Sequence, residues 1–107
     1  MKGQVQGSET GTTTGSYVAA LDVETAQHRS CTFLVANTGV TNTIYYKIWV
    51  YAKYGGTNYV EYVGETSIGT STVVEVNVTE TAYAEVVIYV KNNAGASTYG
   101  IDYILKP

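Results

Sequence analysis

The stretch IYYKIWVYAK, residues 44–53, alternates with a period of two and carries large side chains on both of its sides. Because successive side chains of a β-strand point to opposite faces of a sheet, this pattern predicts a strand and excludes a helix. A strand that buries only one face usually carries Thr, Lys and Glu on the other. Here the two sides are Ile44, Tyr46, Ile48, Val50 and Ala52 against Tyr45, Lys47, Trp49, Tyr51 and Lys53.

Six further segments either alternate in the same way or form short apolar runs between Gly and Asn turns. None of them shows the period of a helix. Together they predict an all-β fold, a single antiparallel β-sandwich of immunoglobulin-like topology with about seven strands. An eight-stranded jelly roll is the alternative.

The first 16 residues are rich in Gly, Thr, Ser and Gln and contain almost nothing to bury. We therefore predict a flexible N-terminal arm over residues 1–16 and a β-sandwich domain over residues 17–107. An arm that becomes ordered on a neighbouring subunit is the alternative. A chain of 107 residues has the usual size of one domain.

Charge and composition argue against several classes of function. The formal net charge is −3, and Arg29 is the only arginine, so no nucleic-acid backbone is expected as a partner. Cys31 and His28 are the only residues of their types, which leaves no His-based metal site and no catalytic pair; we expect no enzyme and no cofactor. No apolar run is long enough to insert in a membrane, and the first residues lack the apolar core of a signal peptide.

The segments around residues 44–53 and 83–93 alternate most strongly, and they would be neighbours in one sheet of an immunoglobulin-like sandwich. Their outward sides then form one surface that is rich in Tyr and Lys. Interfaces differ from ordinary surface by such aromatic enrichment, so this surface is predicted to be a protein-contact face. An alternative is that the cross-strand pairs only stabilise an exposed sheet. The predicted contact residues are Tyr45, Lys47, Trp49, Tyr51, Lys53, Tyr83 and Tyr89.

The succession LDV, FLVANTG, IYYKIWVYAKYGG, AEVVIYVKNN and IDYIL after a Gly/Thr-rich start resembles small β-sandwich proteins on the outside of tailed-phage virions, including head decoration proteins. The resemblance covers Tyr17 to Leu105 as a pattern of strands. It implies a non-enzymatic structural subunit that is made in the host cytoplasm, self-associates, for example as a trimer, and binds a capsid or tail protein at the virion surface.

The same pattern also looks like CARDB-type adhesion modules of microbial surfaces, in which a strand that ends in Asn-x-Gly precedes a second apolar strand. A cell-surface or filament adhesion module therefore stays open as a function. A carbohydrate-binding module is a further alternative, in which Trp49, Tyr45 and Tyr51 would form a platform on which a glycan stacks.

Overall fold

A computed structural model describes residues 3–79 and 83–107, and it consists of eight antiparallel β-strands without a helix in this part of the chain. The strands are β1 (Val5–Thr12), β2 (Val18–Glu24), β3 (Ser30–Asn37), β4 (Ile44–Tyr51), β5 (Tyr59–Ile68), β6 (Thr72–Val78), β7 (Glu85–Asn92) and β8 (Thr98–Lys106).

The strands form two four-stranded sheets. Sheet A has the order β1-β8-β3-β6, and sheet B has the order β2-β7-β4-β5. This arrangement is the jelly roll. The predicted antiparallel sandwich is confirmed, and β4 and β7 are neighbours as predicted. The strand number and the immunoglobulin-like order differ, because the chain forms one strand more than the alternating segments indicate.

The core lies between the two sheets and is built from the alternating positions that the sequence indicates. Phe33, Ile48, Ile88 and Ile101 are completely buried, and they come from four different strands of both sheets. Burial of each such side chain stabilises the fold by about 1.5–3 kcal/mol. The inward sides of β4, β7 and β8 are those predicted.

The additional strand is β1, which lies in the segment predicted to be a flexible arm. Residues 5–12 pair with β8 along their whole length, so the sandwich begins at Val5 and the predicted arm is corrected over these residues. Gly7 and Gly11 lie opposite Tyr103 and Tyr99, and a Cβ atom on either glycine would overlap the facing ring. The rings of Tyr99 and Tyr103 thus fill the inward positions that apolar side chains of β1 would otherwise occupy. The sequence of β1 therefore shows no alternation of apolar and polar residues.

A β-bulge in β2 changes which side chains face outward. The sequence places Tyr17 on the same side as Leu21, but the register of β2 against β7 shifts between Ala19 and Leu21. Leu21 remains in the core, whereas Tyr17 is brought to the outer side of sheet B. A bulge adds one residue to a strand and thereby reverses the alternation that precedes it.

Asn37 ends β3 and joins three segments of the chain at one end of the sandwich. It is 1% exposed, and its Nδ2 donates to the backbone oxygens of Asn42 (2.8 Å) and Ile68 (3.1 Å). Its Oδ1 accepts hydrogen bonds from Ser97 Oγ (2.7 Å) and the Gly39 N–H (3.1 Å). One side chain therefore satisfies four polar groups, which belong to the β3–β4 and β7–β8 connections and to the last residue of β5.

Candidate contact face on the outer side of sheet B

Five of the seven predicted contact residues lie together on the outer side of sheet B. β4 supplies four of them, and β7 supplies Tyr89, which lies opposite Lys47 in the register of the two strands. All five are half-buried, because they cover one another and their neighbours. They are Tyr45, Lys47, Trp49, Tyr51 and Tyr89.

The other two predicted residues, Lys53 and Tyr83, lie outside this face. β4 ends at Tyr51, and Lys53 is exposed in the turn that leads to β5. Tyr83 precedes β7, packs against the core, and meets the ring of Tyr62 edge-on with centroids 6.5 Å apart. The sequence pattern continues the alternation beyond the ends of both strands, where the backbone is no longer extended.

Lys47 stands at the centre of the face, within an aromatic cage. Its Nζ lies 4.2 Å from the ring centroid of Tyr17, 4.4 Å from that of Trp49 and 5.6 Å from that of Tyr89. A lysine ammonium at such a distance from an aromatic face gains about 0.5–1 kcal/mol at an exposed site. The cage holds the three rings and the cation in one arrangement.

Trp49 has both sides of its indole ring covered. Tyr59 of β5 stacks on it with centroids 3.7 Å apart and an interplanar angle of 10°. Lys47 must lie on the opposite side, because a stacked ring and an ammonium cannot occupy the same space. The indole N–H donates to Glu61 Oε2 at 2.9 Å. A sugar could stack on Trp49 only after Tyr59 or Lys47 had moved away.

Five further residues belong to the face and lie outside the predicted set: Tyr17, Tyr59, Glu61, Glu65 and Lys91. The Tyr17 hydroxyl donates to Glu65 Oε1 at 2.6 Å, and Lys91 Nζ lies 3.4 Å from the same oxygen. The hydrogen bond from Tyr17 holds the pKa of Glu65 below its ordinary value, and burial together with Glu65 raises that of Tyr17. Glu61, Glu65 and Tyr59 come from β5, whose register shifts twice against β4 and hides them from a period-two pattern.

At one edge of the face, two carboxyl groups share a partly desolvated site. Glu85 is 6% exposed, accepts a hydrogen bond from the Gly55 N–H at 3.0 Å and lies close to Asp22 of β2. Burial, followed by the hydrogen bond to Glu85 and its charge, raises the pKa of Asp22 from 3.8 to about 6. Burial and a hydrogen bond with Tyr51 raise the pKa of Tyr89 nearby to about 12.

We expect Asp22 to contribute less to the stability of the protein as the pH rises from about 4 to about 6. The folded state holds the Asp22 proton more tightly than the unfolded chain, so the stabilisation is complete below the unfolded pKa and disappears above the folded one. Thermal unfolding of Asp22→Asn, compared with the unchanged protein at pH 4 and pH 7, measures this effect. The stability of the variant relative to the unchanged protein should increase from pH 4 to pH 7, because the variant has no Asp22 proton to lose. A relative stability that is the same at both pH values would contradict the assignment to Asp22.

Neither a metal centre nor a membrane-spanning helix is found among residues 3–79 and 83–107. No three His, Cys, Asp or Glu side chains in these ranges are grouped so that they could bind one metal ion. No helix there is long and apolar enough to cross a bilayer. Cys31 is 2% exposed, and its burial raises the pKa of the thiol to about 11.

No protein-family model and no curated protein sequence matches the chain. Solved structures do. PirA is 15% identical over 90% of this chain and 92% of its own, with a TM-score of 0.68. A protein of the Bacillus endospore appendages, described as disulfide-linked pili, is 11% identical over 96% and 86%, with a TM-score of 0.59. The SPBc2 prophage-derived protein YomS is 11% identical over 94% of each chain, with a TM-score of 0.53.

At these identities the likeness shows the fold alone. The chain has the same strand arrangement as these proteins along nearly its whole length, and the matches include both a pilus protein and a prophage-derived one. Because one fold hosts many unrelated functions, the function has to be argued from the surface of this chain.

Proposed function

We propose that this protein is a non-enzymatic structural subunit that self-associates and attaches to a capsid or tail protein at the surface of a virion. The outer face of sheet B is the surface that contacts the partner protein. The resemblance of the strand pattern to virion surface proteins and the likeness in fold to a prophage-derived protein support this role. A subunit of a cell-surface filament is the second candidate, because a pilus protein shares the fold.

The observation that carries the proposal is the order of the outer face of sheet B. Its rings are fixed by stacking, by the Lys47 cage and by hydrogen bonds to Glu61 and Glu65. Binding to a surface of fixed side chains loses little rotamer entropy, which a flexible surface would lose. Tyr and Trp also offer apolar area with polar tips, which is the composition of protein interfaces.

Cys31 bears on the filament alternative. It is the only cysteine, and it is buried, so a covalent link between copies would require the core to open. Assembly of this chain would therefore depend on non-covalent contacts, whether on a virion or in a filament. A non-covalent assembly depends on concentration and can be measured directly.

The proposal is tested by solution mass from light scattering coupled to size exclusion across a hundredfold range of concentration. We expect a mass that rises with concentration to that of an oligomer. Tyr45→Glu puts a charge on the outer face of sheet B beside Lys91 without removing a ring of the Lys47 cage. Leu34→Glu is the matched control, on the exposed outer side of sheet A.

Tyr45→Glu should lower binding to the partner capsid or tail protein at least tenfold, because it removes the apolar area of the tyrosine ring and adds a charge that must lose its water at the interface; Leu34→Glu should leave binding unchanged. Tyr45→Glu should unfold near the temperature of the unchanged protein. Leu34→Glu lies opposite Asp102 and Glu75, so it should unfold at a lower temperature but stay folded during the binding measurement. Equal binding by the two variants would refute the contact face. A strictly monomeric protein at every concentration would refute the self-association.

A further inference from the structure

The exposed apolar side chains of the sandwich are concentrated on its two flanks. One flank is formed by the edge strands β1 and β2, and the other by the edge strands β5 and β6. Six of the nine exposed large hydrophobic side chains in the described ranges belong to these four strands. The six are Val5, Val18, Tyr59, Val60, Tyr62 and Val73.

The two sheets differ in how their edges are built. In sheet B both edge strands are irregular: β2 has one shift in register against its neighbour, and β5 has two. Such bulges protect an edge against pairing with another strand. In sheet A, β1 and β6 keep an unbroken register over eight and seven residues, and neither contains a proline or a lysine. Sheet A therefore has two edges of regular register, each of which carries one charged residue, Glu9 on β1 and Glu75 on β6.

The register shows which backbone groups face these open edges. The Thr13 N–H donates to Ser97 O (2.8 Å), and the Thr38 N–H donates to Thr98 O (3.1 Å). Both pairs continue the registers of β1–β8 and β3–β8 by one step. Because bonded and non-bonded pairs alternate in antiparallel sheets, every second residue of each edge strand faces outward from the edge. These residues are Gln6, Ser8, Thr10 and Thr12 on β1 and Val73, Glu75 and Asn77 on β6.

Sheet A has an even number of strands that alternate in direction. A second copy placed beside β6 in the same orientation therefore presents its β1 antiparallel to β6. The residues that face the open edges also lie on the outer side of the sheet in both strands, so the faces of the two copies match. We infer that β6 of one copy pairs with β1 of the next, so that sheet A continues from subunit to subunit in a head-to-tail chain.

This inference rests on the proposed self-association and specifies its geometry. In the register that pairs Val5 with Val78, all seven residues of β6 have a partner in residues 5–11, and Glu75 lies opposite Ser8. A twofold pairing of β6 with itself over its full length would place Glu75 opposite Glu75, which is unfavourable. A pairing of β1 with itself would bring together mainly Gly, Ser, Thr and Glu and would bury little apolar surface.

One side chain of the same copy occupies part of the β6 edge. The Tyr62 hydroxyl donates to Asn77 O at 3.1 Å, and this oxygen is one of the groups that face outward. A neighbouring β1 has to displace this hydroxyl before it can pair with the whole of β6. Tyr62→Phe removes the hydroxyl and keeps the ring, so it should favour pairing.

Proline substitutions at outward-facing positions test the pairing, because they remove an N–H that bonds nothing within the subunit. Thr10→Pro blocks the β1 edge and Glu75→Pro blocks the β6 edge; Thr10→Ala and Glu75→Ala are the matched controls. Light scattering at the concentration where the unchanged protein assembles should show that each proline variant alone is a monomer. An equimolar mixture of the two proline variants should form a 1:1 dimer and nothing larger, because one variant has an open β6 and the other has an open β1.

Tyr62→Phe should lower the concentration of half-assembly about two- to tenfold.

Each outcome separates the alternatives. If the proline variants assemble as the alanine controls do, or if the Tyr62→Phe variant assembles no better than the unchanged protein, the edge pairing is refuted while self-association stands. If Thr10→Pro alone dimerises, β6 pairs with itself; if Glu75→Pro alone dimerises, β1 does. If the unchanged protein stays monomeric, the proposed self-association fails, and the head-to-tail chain fails with it.

Discussion

Asn37→Leu should lower the free energy of unfolding by about 3–5 kcal/mol, which is a large effect for a single substitution. Leucine has a similar size, so the core contacts stay nearly the same. The four hydrogen bonds of the amide disappear, and the backbone oxygens of Asn42 and Ile68 lose a partner where water has little access. A buried polar group left without a partner costs about 1–3 kcal/mol.

Urea denaturation followed by Trp49 fluorescence and by circular dichroism measures this loss. Asn93→Ala is the matched control, because Asn93 is an exposed asparagine at the same end of the sandwich, and it should change the free energy by less than about 0.5 kcal/mol. Since whole domains are stable by only 5–15 kcal/mol, the Asn37 variant should be marginal at 37 °C. A loss below about 1 kcal/mol would show that the loops do not depend on the amide.

Removal of residues 1–12 should lower the unfolding temperature by about 10 °C or more, which corresponds to about 2 kcal/mol for a domain of this size. A flexible arm predicts no change, and the structure reverses that expectation. β1 pairs with β8 along eight residues, and it covers the rings of Tyr99 and Tyr103 through Gly11 and Gly7. Without β1, both rings become exposed to water, and so do the backbone groups of β8 that bond to β1.

Removal of residues 1–2 is the control, since it leaves the whole of β1 in place. Differential scanning calorimetry of the three chains gives the unfolding temperatures, and near-ultraviolet circular dichroism reports the environment of the tyrosine rings. If the chain without residues 1–12 unfolds at the same temperature as the other two, β1 contributes nothing to the sandwich and behaves as the arm that the sequence predicts.

The sequence predicts the strands whose inward side chains alternate without interruption. In β4, β7 and β8 the apolar residues recur at every second position, and the fold follows them. The sequence does not predict β1, because glycines occupy its inward positions 7 and 11. The apolar groups that cover these positions are tyrosine rings of β8. Tyr17 is placed on the wrong side because a bulge in β2 depends on pairing with β7, which a local pattern does not contain.

The candidate contact face is predictable only in part for the same reason. The four residues that β4 supplies follow from its own alternation, and Tyr89 follows from that of β7. Glu61 and Glu65 complete the face through bonds to Trp49 and Tyr17, at separations of 12 and 48 residues along the chain. Such partners become evident only when the strand order is known. The alternating pattern includes Lys53 and Tyr83 because it extends beyond the ends of β4 and β7.

Gly7 lies opposite Tyr103, and this contact links the beginning of the chain to its end. A larger residue at position 7 fits only if position 103 becomes smaller, and a smaller ring at 103 would leave a gap that only a change at 7 can fill. We therefore expect substitutions at these two positions to be tolerated better as a pair than singly, although almost the whole length of the polypeptide separates them.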